Sequence, residues 1–160
     1  MFYIGSMILY QYLKQSIVIL TMALVVPVSS TGQNYGQRDA KAITTLIDHY
    51  TLSRDTKDST LLKSILTDDI DQLVSSGEWR IGVEVAVKGM MRSSESNPGS
   101  RKIIIDKIKY LTNSAAVVDA RYEIQNADGS IRKMWSTFIV VSEKRHWRIS
   151  AIRNMLPAGS

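Results

Sequence analysis

The side chains able to do acid–base work are few in this chain, and they are scattered. Two histidines, His49 and His146, occur among 160 residues. His49 is followed by Tyr50, and an imidazole next to a phenol can pass a proton. Against that, a lone histidine beside an apolar helical stripe is more commonly a partly buried or surface residue, and His146 falls in a turn. The pair Asp68-Asp69 offers carboxylates for a base, but such a pair more commonly caps or ends an element. No serine lies in a Gly-x-Ser-x-Gly context. Cysteine is absent, which excludes disulfides, zinc-thiolate sites and thiol catalysis. Two separated histidines with no acid cluster argue against a metal site. No cofactor is expected, and no acid–base pair stands out.

Charge and hydropathy narrow the function classes further. Lysine and arginine number 20 against 15 acids, a net charge of +5. The basic residues are interspersed with acidic ones, and the longest basic runs are Arg132-Lys133 and Lys144-Arg145-His146. That pattern describes a solvated surface rather than a nucleic-acid stripe, so no nucleic-acid partner is expected. Residues 1–30 differ from the rest, with Lys14 as their single charge. Residues 16–28 are uncharged, which is short of the roughly 20 residues a membrane span needs. They suit the apolar region of a cleavable signal peptide, with Val28 and Ser30 at the −3 and −1 positions. Cleavage after Ser30 would deliver the protein to the periplasm or the medium with no stable membrane span. An uncleaved N-terminal anchor is the alternative, and Met7 is an alternative start. The expected organisation is a signal peptide over 1–30, a flexible tether over 31–38 and one domain over 39–157.

Within that domain the periodicity changes from helix to strand. Ile43, Leu46, Ile47 and Tyr50 fall at i, i+3, i+4 and i+7, which predicts a helix over 39–53. The turn at Arg54-Asp55-Thr56-Lys57 should stop it. A second, shorter helix should start at Asp58 or Ser59, bury Leu61, Leu62, Ile65 and Leu66, and end at Thr67-Asp68-Asp69. A short strand over 70–74 and a turn at Ser75-Ser76-Gly77 lead to Trp79. A third helix should span 83–93, with 94–100 an exposed loop. From Arg101 to Leu156 the strands form a meander. Its turns are Thr112-Asn113-Ser114, Asn126-Ala127-Asp128-Gly129 and Glu143-Lys144-Arg145. Ala116, Val118, Ala120, Tyr122 and Ile124 alternate with polar residues, so one face of that strand should be buried. Residues 133–142 are apolar on both phases, with Trp135, Ile139 and Val141 opposite Met134, Phe138 and Val140. A two-sided apolar strand in a small domain suggests a second subunit over the outer face, hence a homodimer. The last strand places Trp147, Ile149 and Ala151 on one phase. Helices followed by an antiparallel meander define an α+β class, with three N-terminal helices packed on a curved sheet.

Three stretches resemble the nuclear-transport-factor-2-like superfamily, and especially the small bacterial SgcJ/EcaC-type and SnoaL-like proteins. They are His49-Tyr50 with Asp58 and Leu66-Thr67-Asp68-Asp69, then Gly77-Glu78-Trp79-Arg80-Ile81-Gly82 before a helix, then Trp147-Arg148-Ile149-Ser150-Ala151-Ile152-Arg153-Asn154 at the end of the last strand. The resemblance implies a cone-shaped α+β fold around one pocket. Fold alone does not fix activity.

Ketosteroid isomerases of that superfamily use a tyrosine, a carboxylate base and a protonated acid. The resemblance puts Tyr50 at the tyrosine position, but Val74 at the base and Ser136 at the acid. Asp71, the nearest carboxylate, lies on the strand phase opposite Ile70 and Gln72. Steroid isomerisation by that mechanism is therefore not expected. Phase and resemblance together give a ligand-binding lining of Tyr50, Trp79, Tyr122, Met134, Ser136 and Arg153. The expected function is exported binding of a small, largely apolar molecule. Two alternatives stay open. One is a SnoaL-like cyclase, isomerase or dehydratase using Tyr50 with His49 or Asp69. The other is a protein-interaction domain presenting Trp135, Thr137 and Ile139 on its sheet face.

Overall fold

The computed structural model describes residues 31–158, so the segment read as a signal peptide lies outside the described residues. Three helices precede and interleave with six strands: α1 (Thr31–Asp55), α2 (Ser59–Ser64), β1 (Leu66–Leu73), β2 (Trp79–Ile81), α3 (Val83–Ser96), β3 (Gly99–Thr112), β4 (Ala115–Asn126), β5 (Ile131–Glu143) and β6 (His146–Met155). The strands make one sheet in the order β2-β1-β6-β5-β4-β3. Every neighbouring pair is antiparallel except β1 and β6, which run parallel. The expected α+β architecture is therefore observed, with a mixed sheet rather than a wholly antiparallel one.

The helices form where the sequence supplies an apolar stripe and a stop. On α1, Ile43, Leu46, Ile47 and Tyr50 are buried, as their spacing predicts. The helix starts at Thr31 rather than 39, so residues 31–38 are helical rather than a tether. The Asp58 carboxylate caps α2 by accepting from the Leu61 N–H at 2.8 Å. α2 then ends at Ser64, and Leu66-Thr67-Asp68-Asp69 opens β1 instead of closing the helix. On α3, Val83, Ala86, Val87, Met90 and Ser94 form the buried stripe. This helix continues to Ser96, three residues past the expected end, and takes up three of the seven residues expected as loop.

The core lies between these stripes and the inner face of the sheet. Tyr50 meets Phe138 edge-on, with ring centroids 5.4 Å apart. Around that contact pack Ala116, Val118 and Ala120 of β4, Val140 of β5, and Ile149 and Ile152 of β6. The β4 alternation is as expected, with Ala116 through Ile124 buried on every second residue. β6 departs from simple alternation. Val140 pairs with Ile149 and Ile139 with Ala151, so Ser150 is an extra residue in the strand. The bulge reverses the phase. Ile149 faces inward before it, and Ile152 and Asn154 face inward after it, across from Phe138 and Ser136. Ala151 and Arg153 therefore turn to the outer face with Ile139 and Thr137, which corrects the expected grouping of Ala151 with Ile149.

Gly99 fixes how α3 hands the chain to the sheet. A β-carbon built there would lie 2.1 Å from the backbone oxygen of Gln125, the partner strand's own main chain. Neither backbone can yield without opening the β3–β4 ladder, which is the longest pairing in the sheet. Gly99→Ala is therefore expected to destabilise the fold by about 2 kcal/mol, the usual range for forced overpacking. Urea unfolding with an unchanged midpoint would contradict this close approach.

Candidate functional site

Three arginines are buried at one end of the sheet, and only two have a carboxylate. Arg54, Arg80 and Arg101 are 4%, 6% and 7% exposed. Arg101 meets Asp55 at 3.1 Å and Arg80 meets Glu78 at 3.0 Å. Arg54 makes no ion pair among the described residues. Its Nε donates to Ser94 Oγ at 2.9 Å, and its Nη1 donates to the Tyr50 hydroxyl at 3.0 Å. The guanidinium cannot discharge by losing its proton, so it is a buried cation held by neutral oxygens.

Local structure explains each placement. Arg54 continues the α1 stripe, four residues after Tyr50, and so follows it into the interior. Arg80 sits between exposed Trp79 and Ile81 in β2 and points inward by alternation. It passes α3 at Gly89, where a β-carbon would come within 2.5 Å of Arg80 Nε. Arg80 also donates through Nη1 to Gln72 Oε1 at 3.2 Å. Asn154 reaches the same end through the β6 bulge, and its Oδ1 accepts from Ser136 Oγ at 2.7 Å.

These side chains enclose a cavity of about 30 Å³, whose lining includes Arg54, Gln72, Arg80, Tyr122, Arg132 and Asn154. It lies where β1, β4 and β6 finish and β5 begins. Exposed Arg132 stands at its rim and donates to Ser75 Oγ at 3.2 Å. About 10–15 Å³ of such space holds one water, so the cavity as it stands admits a group of two or three heavy atoms. Among its lining residues there is no histidine and no carboxylate.

The residues proposed from sequence divide between the two faces of the sheet. Tyr50, Tyr122, Met134 and Ser136 are buried on the inner face. Tyr122 and Met134 line the cavity directly, whereas Ser136 is bonded to Asn154 and Tyr50 to Arg54 just behind it. Trp79 and Arg153 are elsewhere. Arg153 lies on the outer face, with its guanidinium 4.8 Å from the Trp79 ring centre and 2.6 Å from Asp71. The single extra residue at Ser150 put Arg153 outside, and Arg80 rather than Trp79 fills the inward position of β2. His49 is also apart from Tyr50. It lines a separate groove near the β5–β6 turn, together with His146. Asp69 is exposed on β1. The acid–base pairings considered for an enzyme therefore do not assemble. Sequence reading missed Arg54, Arg80, Gln72 and Asn154. For Arg54 the signal was present, since residues 43, 46, 47, 50 and 54 share one helical stripe.

Burial also sets the ionisation of Tyr122. Removal from water pushes its pKa up to about 12, assisted by Tyr50, while Arg54 and Arg101 oppose the shift. The folded value exceeds the unfolded one, so this contribution to stability is intact below about pH 10 and is lost as pH rises toward 12. At pH 11.5 the wild type should have lost about 2 kcal/mol relative to pH 9 from this group. Tyr122→Phe should lack that increment in paired urea titrations. Parallel losses in both proteins would contradict the buried, protonated phenol.

No protein-family model and no curated protein matches the sequence. Solved structures do match in fold. An NTF-2-like protein of Shewanella oneidensis superposes with a TM-score of 0.64 at 18% identity, covering 73% of this chain and 98% of that one. A candidate scytalone dehydratase of Novosphingobium aromaticivorans gives 0.66 at 12% identity, covering 80% and 98%. A ketosteroid isomerase-like protein of Erwinia carotovora atroseptica gives 0.60 at 14% identity, covering 72% and 93%. Identities this low carry the fold and not the chemistry. Three helices over a six-stranded, mostly antiparallel sheet, matched over nearly the whole of these proteins, make this chain an example of the nuclear-transport-factor-2-like cone fold.

Proposed function

We propose that this protein is a small-molecule-binding module whose interior cavity receives a compact anionic group, such as a carboxylate. The observation that carries the proposal is Arg54. A guanidinium shielded from water and paired with no carboxylate loses several kcal/mol of hydration without a full return. An incoming anion would supply the missing charge, and arginine presents two parallel donors to a carboxylate. This reading revises the largely apolar molecule expected from sequence, because three arginines and two amides share so small a lining with Val74, Ile124 and Met134. The ligand's body would extend past Arg132 toward solvent. A cyclase, isomerase or dehydratase activity has less support, because the lining offers no general base.

Thermal unfolding in the presence of acetate, pyruvate and benzoate tests this. A ligand at about a hundred times its Kd should add roughly 2.7 kcal/mol of stability. Arg54→Met should abolish that gain and leave the ligand-free protein within about 1 kcal/mol of wild type, since an apolar replacement removes the uncompensated charge as well. Equal ligand shifts in both proteins would sink the proposal.

A homodimer through the outer sheet face is a second part of the reading. Trp135 and Met155 are register partners there, 46% and 51% exposed, beside Ile139 and Val141. Light scattering at micromolar concentration should give a dimer mass, and Trp135→Glu should give a monomer. A monomeric wild type would exclude it. Export rests on residues 1–30 alone. N-terminal sequencing of protein from its own host should begin near Thr31, and retention of those residues would contradict cleavage.

A further inference from the structure

The opposite end of the sheet carries a second feature that the cavity does not use. A groove of about 320 Å³ runs between α1, the end of α2 and the β5–β6 hairpin. Its floor is apolar, formed by Leu46, Ile65 and Trp147, and its rim carries His49, Arg145 and Arg148. None of the residues that line it is acidic. Two carboxylates bond to lining residues from outside the groove: Asp39 accepts from the Trp147 indole N–H at 3.2 Å, and Glu143 stands 3.7 Å from Arg148. Arg145 has no hydrogen-bond or ion-pair partner among the described residues.

The turn that presents Arg145 is strained. Lys144 and Arg145 have φ of 49° and 69°, two successive side-chain-bearing residues in the left-handed region. A two-residue hairpin of this type ordinarily carries Asn-Gly, because each bulky residue there costs about 1–2 kcal/mol. His146 steadies the turn, its Nδ1 lying 3.1 Å from the carbonyl of Lys144. No bond made by the Lys144 or Arg145 side chains offsets the cost. Strain that local contacts do not repay tends to mark a functional segment.

We infer that this groove is a binding site for a small phosphorylated molecule. The phosphate would sit between Arg145 and Arg148, with His49 opposite, and an apolar or aromatic body would lie on Leu46, Ile65 and Trp147. Guanidinium forks match phosphate oxygens in pairs. Glu143 offsets Arg148 across a loose, solvent-exposed contact, but Arg145 has no counter-ion among the described residues, so the rim keeps a net positive charge. The site is independent of the cavity at Arg54, because the two occupy opposite ends of the sheet.

Phenyl phosphate, titrated calorimetrically into the full chain, is the test. Wild type should bind with a Kd of about 5 mM or tighter. Arg145→Gly should weaken binding about tenfold or more, the loss expected for one charge-assisted contact, while thermal stability stays level or rises because glycine accepts positive φ freely. Arg148→Gln should weaken binding similarly without touching the turn. Arg54→Met should bind as wild type does. Undetectable binding by wild type at about ten times that concentration would overturn the inference. So would wild-type affinity in both Arg145→Gly and Arg148→Gln, or loss of binding only in Arg54→Met, which would place the phosphate in the other cavity.

Discussion

The interior of this protein depends on where α1 must lay its apolar stripe. Tyr50 seats its ring edge against Phe138, and Ile43, Leu46 and Ile47 follow it onto the sheet. A helix is rigid over such a length, so the register set by those residues carries Arg54 inward one turn later. The buried charge is thus imposed by the packing that stabilises the fold. What the chain could choose was the company that charge keeps. It provides Tyr50 and Ser94, both neutral, and gives the nearby Asp55 to Arg101.

Two further devices complete the cavity. Gly89 leaves room on α3 for Arg80 to pass, and alanine, the better helix former, would collide with it. The Ser150 bulge brings Asn154 inward and sends Arg153 outward to Trp79 and Asp71. Without that extra residue Arg153 would face the cavity as a fourth inner arginine. The bulge therefore sorts two neighbours on β6, turning the Asn154 amide into the interior and the Arg153 guanidinium onto the outer surface.

Much of this fold was legible because its determinants are periodic. The alternation from Ala116 to Ile124 and the stripe from Ile43 to Tyr50 each name an element and its buried face. The site was less legible because its determinants are single events. Ser150 carries no glycine or proline to signal a bulge, yet it decides the direction of Arg153 and Asn154. Arg54 was read as a turn residue because charge ordinarily ends a buried stripe, although its spacing continued the stripe. The strain at Lys144-Arg145 was invisible for a related reason: the turn was recognised from its polarity, but backbone sign is not written in residue type. Strand phase and the resemblance pointed to Tyr50 and Tyr122, which are buried on the inner face, but gave no sign of the buried Arg54 and Arg80 beside them.

If the cavity receives an anion, Arg54 is the group that must meet it. The most direct measurement is a crystal structure of the protein soaked in sodium bromide, with anomalous scattering used to find the ions. Bromide is monatomic and small enough to enter the cavity. An anomalous peak is expected in hydrogen-bonding contact with the Arg54 guanidinium. Bromide bound only at exposed arginines, with water alone against Arg54, would contradict it.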